Sequence, residues 1–216
     1  MTFSRVLFVG AHPDDIELGA AGTICNLIEQ GKEVHCYHTT SGEYKDLNGN
    51  PIRDKESVLK ETRKSMDILG VEHLTFGFAP ATELKFNKLE VSVLQRYILE
   101  HKIDTIFTHP IPDTYHQDHQ NTHNIVVAAS RRYVNNIFLW ESVHSFGRGQ
   151  IIPVAYVDIS LHLDNKMDSL RCHTTEYVKF RHDKWVSGIS SMAKYRGSQI
   201  GVHAAEAFDI IKYILF

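Results

Sequence analysis

Near the start of the chain a histidine and two adjacent carboxylates, His12, Asp14 and Asp15, fall within one short stretch. A second polar stretch, His109 to His123, brings His116, Asp118 and His119, with His123 one helical turn further on. A catalytic zinc ion takes about three ligands drawn from His, Asp, Glu or Cys and keeps one position for water or substrate. His12, Asp15 and His119 supply such a set. Neighbouring residues need not point the same way, so with Asp15 facing a metal Asp14 is free to face the water. Metal binding lowers the pKa of that water to about 7, and a carboxylate beside it is a natural general base. Burying two adjacent carboxylates without a cation would be costly.

Each cluster alone has a plainer explanation. An Asp-Asp pair at a helix start serves as an N-cap that also complements the helix dipole, and two histidines one turn apart can simply face solvent. Their joint occurrence, each after an apolar run, favours a metal site. A phosphate cradle fits poorly, because residues 10–15 lack the G-x-G-x-x-G spacing and place two negative charges where the anion would sit.

The elements that must position these residues alternate between strand and helix. Val6 to Gly10 reads as a buried strand and Ile16 to Gln30 as a helix, so the first cluster lies at the carboxyl end of a strand, where open α/β sheets bind ligands. Strands are also expected at Glu33 to Thr39, His73 to Phe78, Ile103 to Thr108, Ile137 to Trp140 and Val154 to Ile159. Helices are expected at Arg53 to Leu69, Phe86 to His101, Asp118 to Tyr133, Leu161 to about Phe180 and His182 to about Tyr195. Ser41 to Pro51 reads as a polar loop, and Glu206 to Phe216 as a C-terminal tail packed on the body. Helices between successive strands imply parallel pairing by right-handed crossovers. The expected fold is α/β, a Rossmann-like three-layer α/β/α sandwich with a mostly parallel sheet. The strands before the two clusters should be neighbours in it, so the clusters can meet.

At 216 residues, with no Pro/Ser/Gly-rich divider, the chain reads as a single domain over 1–216. Twenty-three Lys and Arg against 26 Asp and Glu give no basic surface for nucleic acid or an anionic membrane, and point to a small-molecule partner. Cys25, Cys36 and Cys172, odd in number and without a C-x-x-C pair, fit buried reduced thiols. No apolar stretch is long enough for a transmembrane segment and none resembles a signal peptide, so a soluble, unprocessed, cytoplasmic protein is expected; self-association is left open.

Residues 12–19, His-Pro-Asp-Asp-Ile-Glu-Leu-Gly, resemble the H-P-D-D-x-E-x-G signature of the LmbE-like, or PIG-L, zinc-dependent N-deacetylases, and residues 116–119 resemble their H-x-D-H motif. The likeness extends through Gly22-Thr23, Glu61, Leu69-Gly70 and Lys166 to His173. It implies that His12, Asp15 and His119 hold the zinc, that Asp14 is the general base, and that His116 is the general acid or oxyanion stabiliser, kept charged by nearby carboxylates. Asp118 is expected to orient one of the histidines. The implied reaction removes the acetyl group from an N-acetylated amino sugar, such as an N-acetylglucosaminyl conjugate, nucleotide sugar or glycolipid. A metal-dependent hydrolase of a non-sugar amide or ester, or a non-catalytic metal-binding protein of the same fold, is the alternative. A His/His/Asp site also accepts Fe2+, Co2+ or Ni2+.

The chain departs from the family pattern in two places. An arginine common one turn before Glu61 is Val58, with Arg53 and Lys55 as substitutes, and the late H-x-S-Q pattern reads His173-Thr174-Thr175-Glu176. His123, His173 and Glu176 are further candidates to line the pocket, and Tyr44, Tyr115, Trp140 and Arg196 are weaker candidates for sugar contact.

Overall fold

The computed structural model describes residues 3–111, 116–141, 151–179 and 183–214. In chain order the elements are β1 (Arg5–Gly10), α1 (Asp15–Glu29), β2 (Glu33–Thr40), β3 (Tyr44–Lys45), β4 (Pro51–Arg53), α2 (Lys55–Leu69), β5 (His73–Ala79), α3 (Lys88–Glu100), β6 (Thr105–Thr108), α4 (Gln117–Ser130), β7 (Asn136–Trp140), β8 (Ala155–Asp158), α5 (Leu163–Arg171), α6 (Thr174–Lys179), α7 (Asp183–Ile200) and β9 (Ala205–Lys212). Seven strands form one sheet in the order β5-β2-β1-β6-β7-β9-β8. The first five run parallel, as the crossover helices require, while β9 runs antiparallel to both β7 and β8.

The sheet is apolar on both faces because helices cover both. Val6, Phe8, Phe107, Phe138 and Phe208 pack on one side with Ile16, Ile24 and Met66. Leu7, Val9, Ile106 and Ile137 pack on the other with Leu94, Ile98, Ile125 and Val126. This is the expected three-layer α/β/α sandwich. Asp54 starts α2 by accepting from Ser57 N at 2.9 Å, and Gly70 ends it in the left-handed region (φ 78°), which a residue without Cβ adopts at little cost.

Three stretches differ from the sequence expectation. The loop after β2 contains a small antiparallel hairpin, β3 with β4, and so carries Arg53 on a strand rather than on the helix. The long helix expected from Leu161 breaks at Cys172 and His173 into α5 and α6, because Glu61 of α2 accepts from Thr175 N at 3.1 Å and from both the Thr174 and Thr175 hydroxyls, starting a new helix there. The C-terminal tail is strand β9, inserted between β7 and β8.

That strand also repairs a fault in α1. Ala20 departs from helical geometry (φ −152°, ψ 17°), which deprives nearby backbone groups of their partners. Buried Glu206 of β9 accepts from Gly22 N at 3.1 Å, Thr23 N at 2.7 Å and Thr23 Oγ1 at 2.7 Å, capping the second half of the helix from a distance. Lys166 Nζ donates to Leu18 O at 2.8 Å and pairs with Glu206 Oε1 at 2.5 Å. All three cysteines are free and buried.

Candidate active site

Strands β1 and β6 lie side by side in parallel, Val9 opposite Thr108, so the residues that follow them emerge together at the carboxyl edge of the sheet. His12 to Asp15 come from the first, and His109, with His116 to His119 at the head of α4, from the second. His12 Nδ1 and His119 Nε2 stand 3.3 Å apart. His119 Nε2 is 3.3 Å from Asp15 Oδ1, and His12 Nδ1 is 3.5 Å from Asp15 Oδ2. The other Asp15 oxygen is already held: Oδ2 accepts from His12 N at 2.7 Å and lies 3.2 Å from His109 Nε2. Burial alone would push the Asp15 carboxyl up in pKa, but His119 and His109 outweigh it and hold it well below the usual range.

Asp118, fully buried, fixes His12 from behind. Its Oδ2 accepts from His12 Nε2 at 2.9 Å and from Thr82 N at 2.6 Å. The His12 ring is thereby oriented with Nδ1 toward Asp15 and His119. Burial lowers the His12 pKa, yet the Asp118 and Asp15 carboxylates raise it to about 9 overall. The two carboxylates thus favour a proton on His12.

Asp14 occupies the N-cap position of α1 but makes no side-chain capping bond, and its φ of 125° is one that L-residues rarely adopt. The plainer reading of the Asp-Asp pair as a helix cap therefore fails at Asp14. Burial, the adjacent Asp15 and Glu176 raise its pKa to about 7. Gly42, at φ 73°, makes room for this turn: a Cβ there would come within 2.6 Å of the Pro13 ring.

His116 lies at the start of α4, where its Nδ1 accepts from Asp118 N at 3.2 Å. Its ring centroid is 4.4 Å from that of His12 and 4.9 Å from that of His119. The expectation that carboxylates keep it charged is not met. Burial, followed by His12 and His119, lowers its pKa to about 4, so at neutral pH the ring is neutral, with its remaining proton on Nε2.

His109 was not among the residues singled out from the sequence, although it stands on the same strand edge, directly after Thr108. Asp15, His109 and His119 form one group of donors that could hold a metal ion, and His12, His116 and His119 another. Its ring stacks on His119 at 4.1 Å and meets Trp140 edge-on at 4.9 Å. His123 supports it, donating from Nδ1 to His109 O at 2.8 Å. Trp140 is core: it fills the space left by Gly19, where a Cβ would meet the indole at 2.4 Å.

Behind Asp14 lies a buried polar network. Glu17 Oε1 accepts from Ser65 Oγ and His173 Nε2, each at 2.6 Å. Arg53, delivered by the hairpin strand β4, donates to Glu61 Oε2 at 3.1 Å and to Pro13 O at 3.4 Å, and its Nη1 lies 3.6 Å from Glu176 Oε1. The guanidinium that Val58 does not provide is thus brought by Arg53, while Lys55 is exposed. His173 and Glu176 are buried beside it. Arg196 pairs with Glu141. Tyr115 lies outside the described residues. No helix among the described residues is long and apolar enough to cross a membrane.

Comparison with known proteins adds three likenesses. A deacetylase of Corynebacterium glutamicum, 1D-myo-inositol 2-acetamido-2-deoxy-alpha-D-glucopyranoside deacetylase, is 25% identical over 253 residues, covering 97% of this chain and 84% of its own. The fold is similar to that of N,N'-diacetylchitobiose deacetylase from Pyrococcus horikoshii, with a TM-score of 0.80 at 24% identity, over 96% of this chain and 84% of that one. It is equally similar to that of GalB, the 4-carboxy-2-hydroxymuconate hydratase of Pseudomonas putida, with a TM-score of 0.80 at 17% identity, over 99% of this chain and 98% of that one. The family model for PIG-L, GlcNAc-PI de-N-acetylase, matches residues 7–130, a span that contains both strand ends and every residue gathered between them. The chain belongs to the PIG-L family of deacetylases.

Proposed function

We propose that this protein is a zinc-dependent hydrolase that removes the acetyl group from an N-acetylated amino sugar or its conjugate, with residues 1–216 acting as one deacetylase domain in the cytoplasm. The observation that carries this reading is the convergence of His12 Nδ1, His119 Nε2 and Asp15 Oδ1 beside a buried Asp14, with His119 Nε2 3.3 Å from each of the other two atoms. A tetrahedral ion with bonds of about 2.0–2.1 Å needs its donor atoms about 3.3–3.4 Å apart. Both separations suit a zinc ion, and Asp118 supplies the outer hydrogen bond that keeps His12 aimed.

When bound, the metal would polarise the acetamide carbonyl and acidify a water molecule. The chain's own groups do the rest. Asp14, whose pKa near neutrality suits it to give as well as take, removes the proton from the attacking water and returns it to the departing nitrogen. His116, neutral, donates from Nε2 to the carbonyl oxygen as negative charge gathers there. The amide C–N bond breaks, leaving acetate and a free amine. Neutral His116 is a poor source of the second proton, and so the oxyanion role is preferred to that of general acid.

Similarity to an inositol-linked 2-acetamido-2-deoxyglucoside deacetylase supports a glycosidically conjugated substrate. The shared fold of a hydratase means that the reacting bond must be tested directly. Acetate release and amine formation are measured on a panel of N-acetylglucosamine conjugates, with zinc-loaded protein beside Asp14→Ala. The expected result is turnover that falls by about 10²-fold or more in the variant while bound zinc stays unchanged. Zinc bound but no acetate from any conjugate would move the reading to a non-sugar amide or ester. No zinc bound would remove it.

A further inference from the structure

At the opposite edge of the sheet, where the parallel strands begin, a second group of donors has no part in the chemistry above. Glu33 opens β2, His35 follows two positions later on the same face of that strand, and His73, the first residue of β5, is the direct register partner of His35. Strand periodicity and parallel pairing therefore place a carboxylate and two imidazoles side by side. One donor atom from each lies within 4.8 Å of the other two. The two imidazole rings are parallel, with centroids 4.2 Å apart, and the His101 ring, at the end of α3, adds a third wall 4.8 Å from His35.

We infer that Glu33, His35 and His73 form a second divalent-cation site, selective for a borderline transition ion such as zinc and separate from the deacetylase centre. Two imidazoles with one carboxylate favour zinc, nickel or copper over magnesium or calcium, which prefer oxygen donors. The surroundings are organised as a ligand set needs. Glu33 Oε1 lies 2.9 Å from His35 Nε2, while Arg5 Nε holds the other carboxylate oxygen at 3.1 Å. His35 Nδ1 is 2.9 Å from the Tyr97 hydroxyl, which is itself hydrogen-bonded to Thr75. In this arrangement His35 Nε2 donates to Glu33 Oε1 while Nδ1 is held by the Tyr97 hydroxyl, so a cation bound between the ring and the carboxylate would replace the Nε2 proton. His73 is exposed, so an ion can reach the group from solvent.

The test is zinc stoichiometry by equilibrium dialysis and metal analysis. Wild-type protein should hold about two ions per chain and His73→Ala about one, with deacetylase turnover unchanged. Glu33→Gln should weaken the second ion by about tenfold or more, a check that does not depend on replacing a ring. In His119→Ala, whose active-site ligand set is broken, about one ion should remain, and adding His73→Ala should remove it. This arm reads the second site whether or not the first holds zinc. Equal zinc in His119→Ala with and without His73→Ala would overturn the proposal.

Discussion

Asp14, His12 and His116 differ from ordinary residues of their types because each is wholly or partly buried next to specific charges. Asp14 has a folded-state pKa of about 7 against about 3.9 for an unfolded aspartate. A raised folded pKa gives stability that is complete below the unfolded value and lost as pH climbs through the folded one. In metal-free protein, thermal melts should therefore show wild type losing stability relative to Asp14→Asn as pH rises from about 4 to about 7. An unchanged difference across that range would mean that Asp14 ionises as freely as in water. His12 is shifted in the same direction. With its pKa raised to about 9 it carries a proton at pH 7, and that proton must leave before Nδ1 can bind a cation. Calorimetry of zinc binding in buffers of different ionisation heat should accordingly report release of about one proton from this ring at pH 7, absent in His12→Ala. Asp118 acts through His12. Asp118→Asn should weaken metal binding by about 10–100-fold, measured by competition with a chelator, and reduce turnover with it.

These residues were legible from the chain to different degrees. His12, Asp14, Asp15, His116 and His119 could be picked out because two short motifs carry them. His109 was not, since one histidine after a strand has no pattern of its own, and its value comes only from the ring of His119 stacked on it and the Trp140 indole behind it. The charge of His116 was misread because carboxylates are visible in sequence whereas the burial and the two neighbouring imidazoles that outweigh them are not.

At the scale of elements, α1 is the piece on which the site depends, and it is not one uniform helix. The bend at Ala20 divides a first half bearing Asp15, Glu17 and Gly19 from a second half capped by Glu206. Hydrophobic periodicity ran through the bend without a mark, because a kink satisfied by a distant carboxylate leaves the local pattern intact. The hairpin β3–β4 and the break before α6 escaped notice for the same reason: each is set by a partner far along the chain, Arg53 by Pro13 and Thr175 by Glu61. Glu206→Ala would leave the Lys166 ammonium buried and unpaired and two backbone N–H groups without acceptors. Denaturant unfolding should register a loss of about 3–5 kcal/mol, and Lys166→Met in the same chain should recover part of it.

Across the whole molecule the alternation of strands and helices was enough to foresee a parallel sheet with helices on both sides and two polar clusters meeting at its carboxyl edge. It was not enough to foresee β9, whose residues read as a tail yet form the antiparallel strand that separates β7 from β8. The contact that β9 makes has a consequence for how the protein comes to be active. Gly22 and Thr23 receive their acceptor from Glu206, 184 and 183 positions further on. Loops of that span close late, and topologies built on them fold slowly. On the ribosome, the motif that supplies His12 and Asp15 emerges early, but the helix beneath it stays uncapped until β9 has been translated and inserted. A nascent chain halted before β9 would carry both histidine–aspartate motifs and still hold them only loosely.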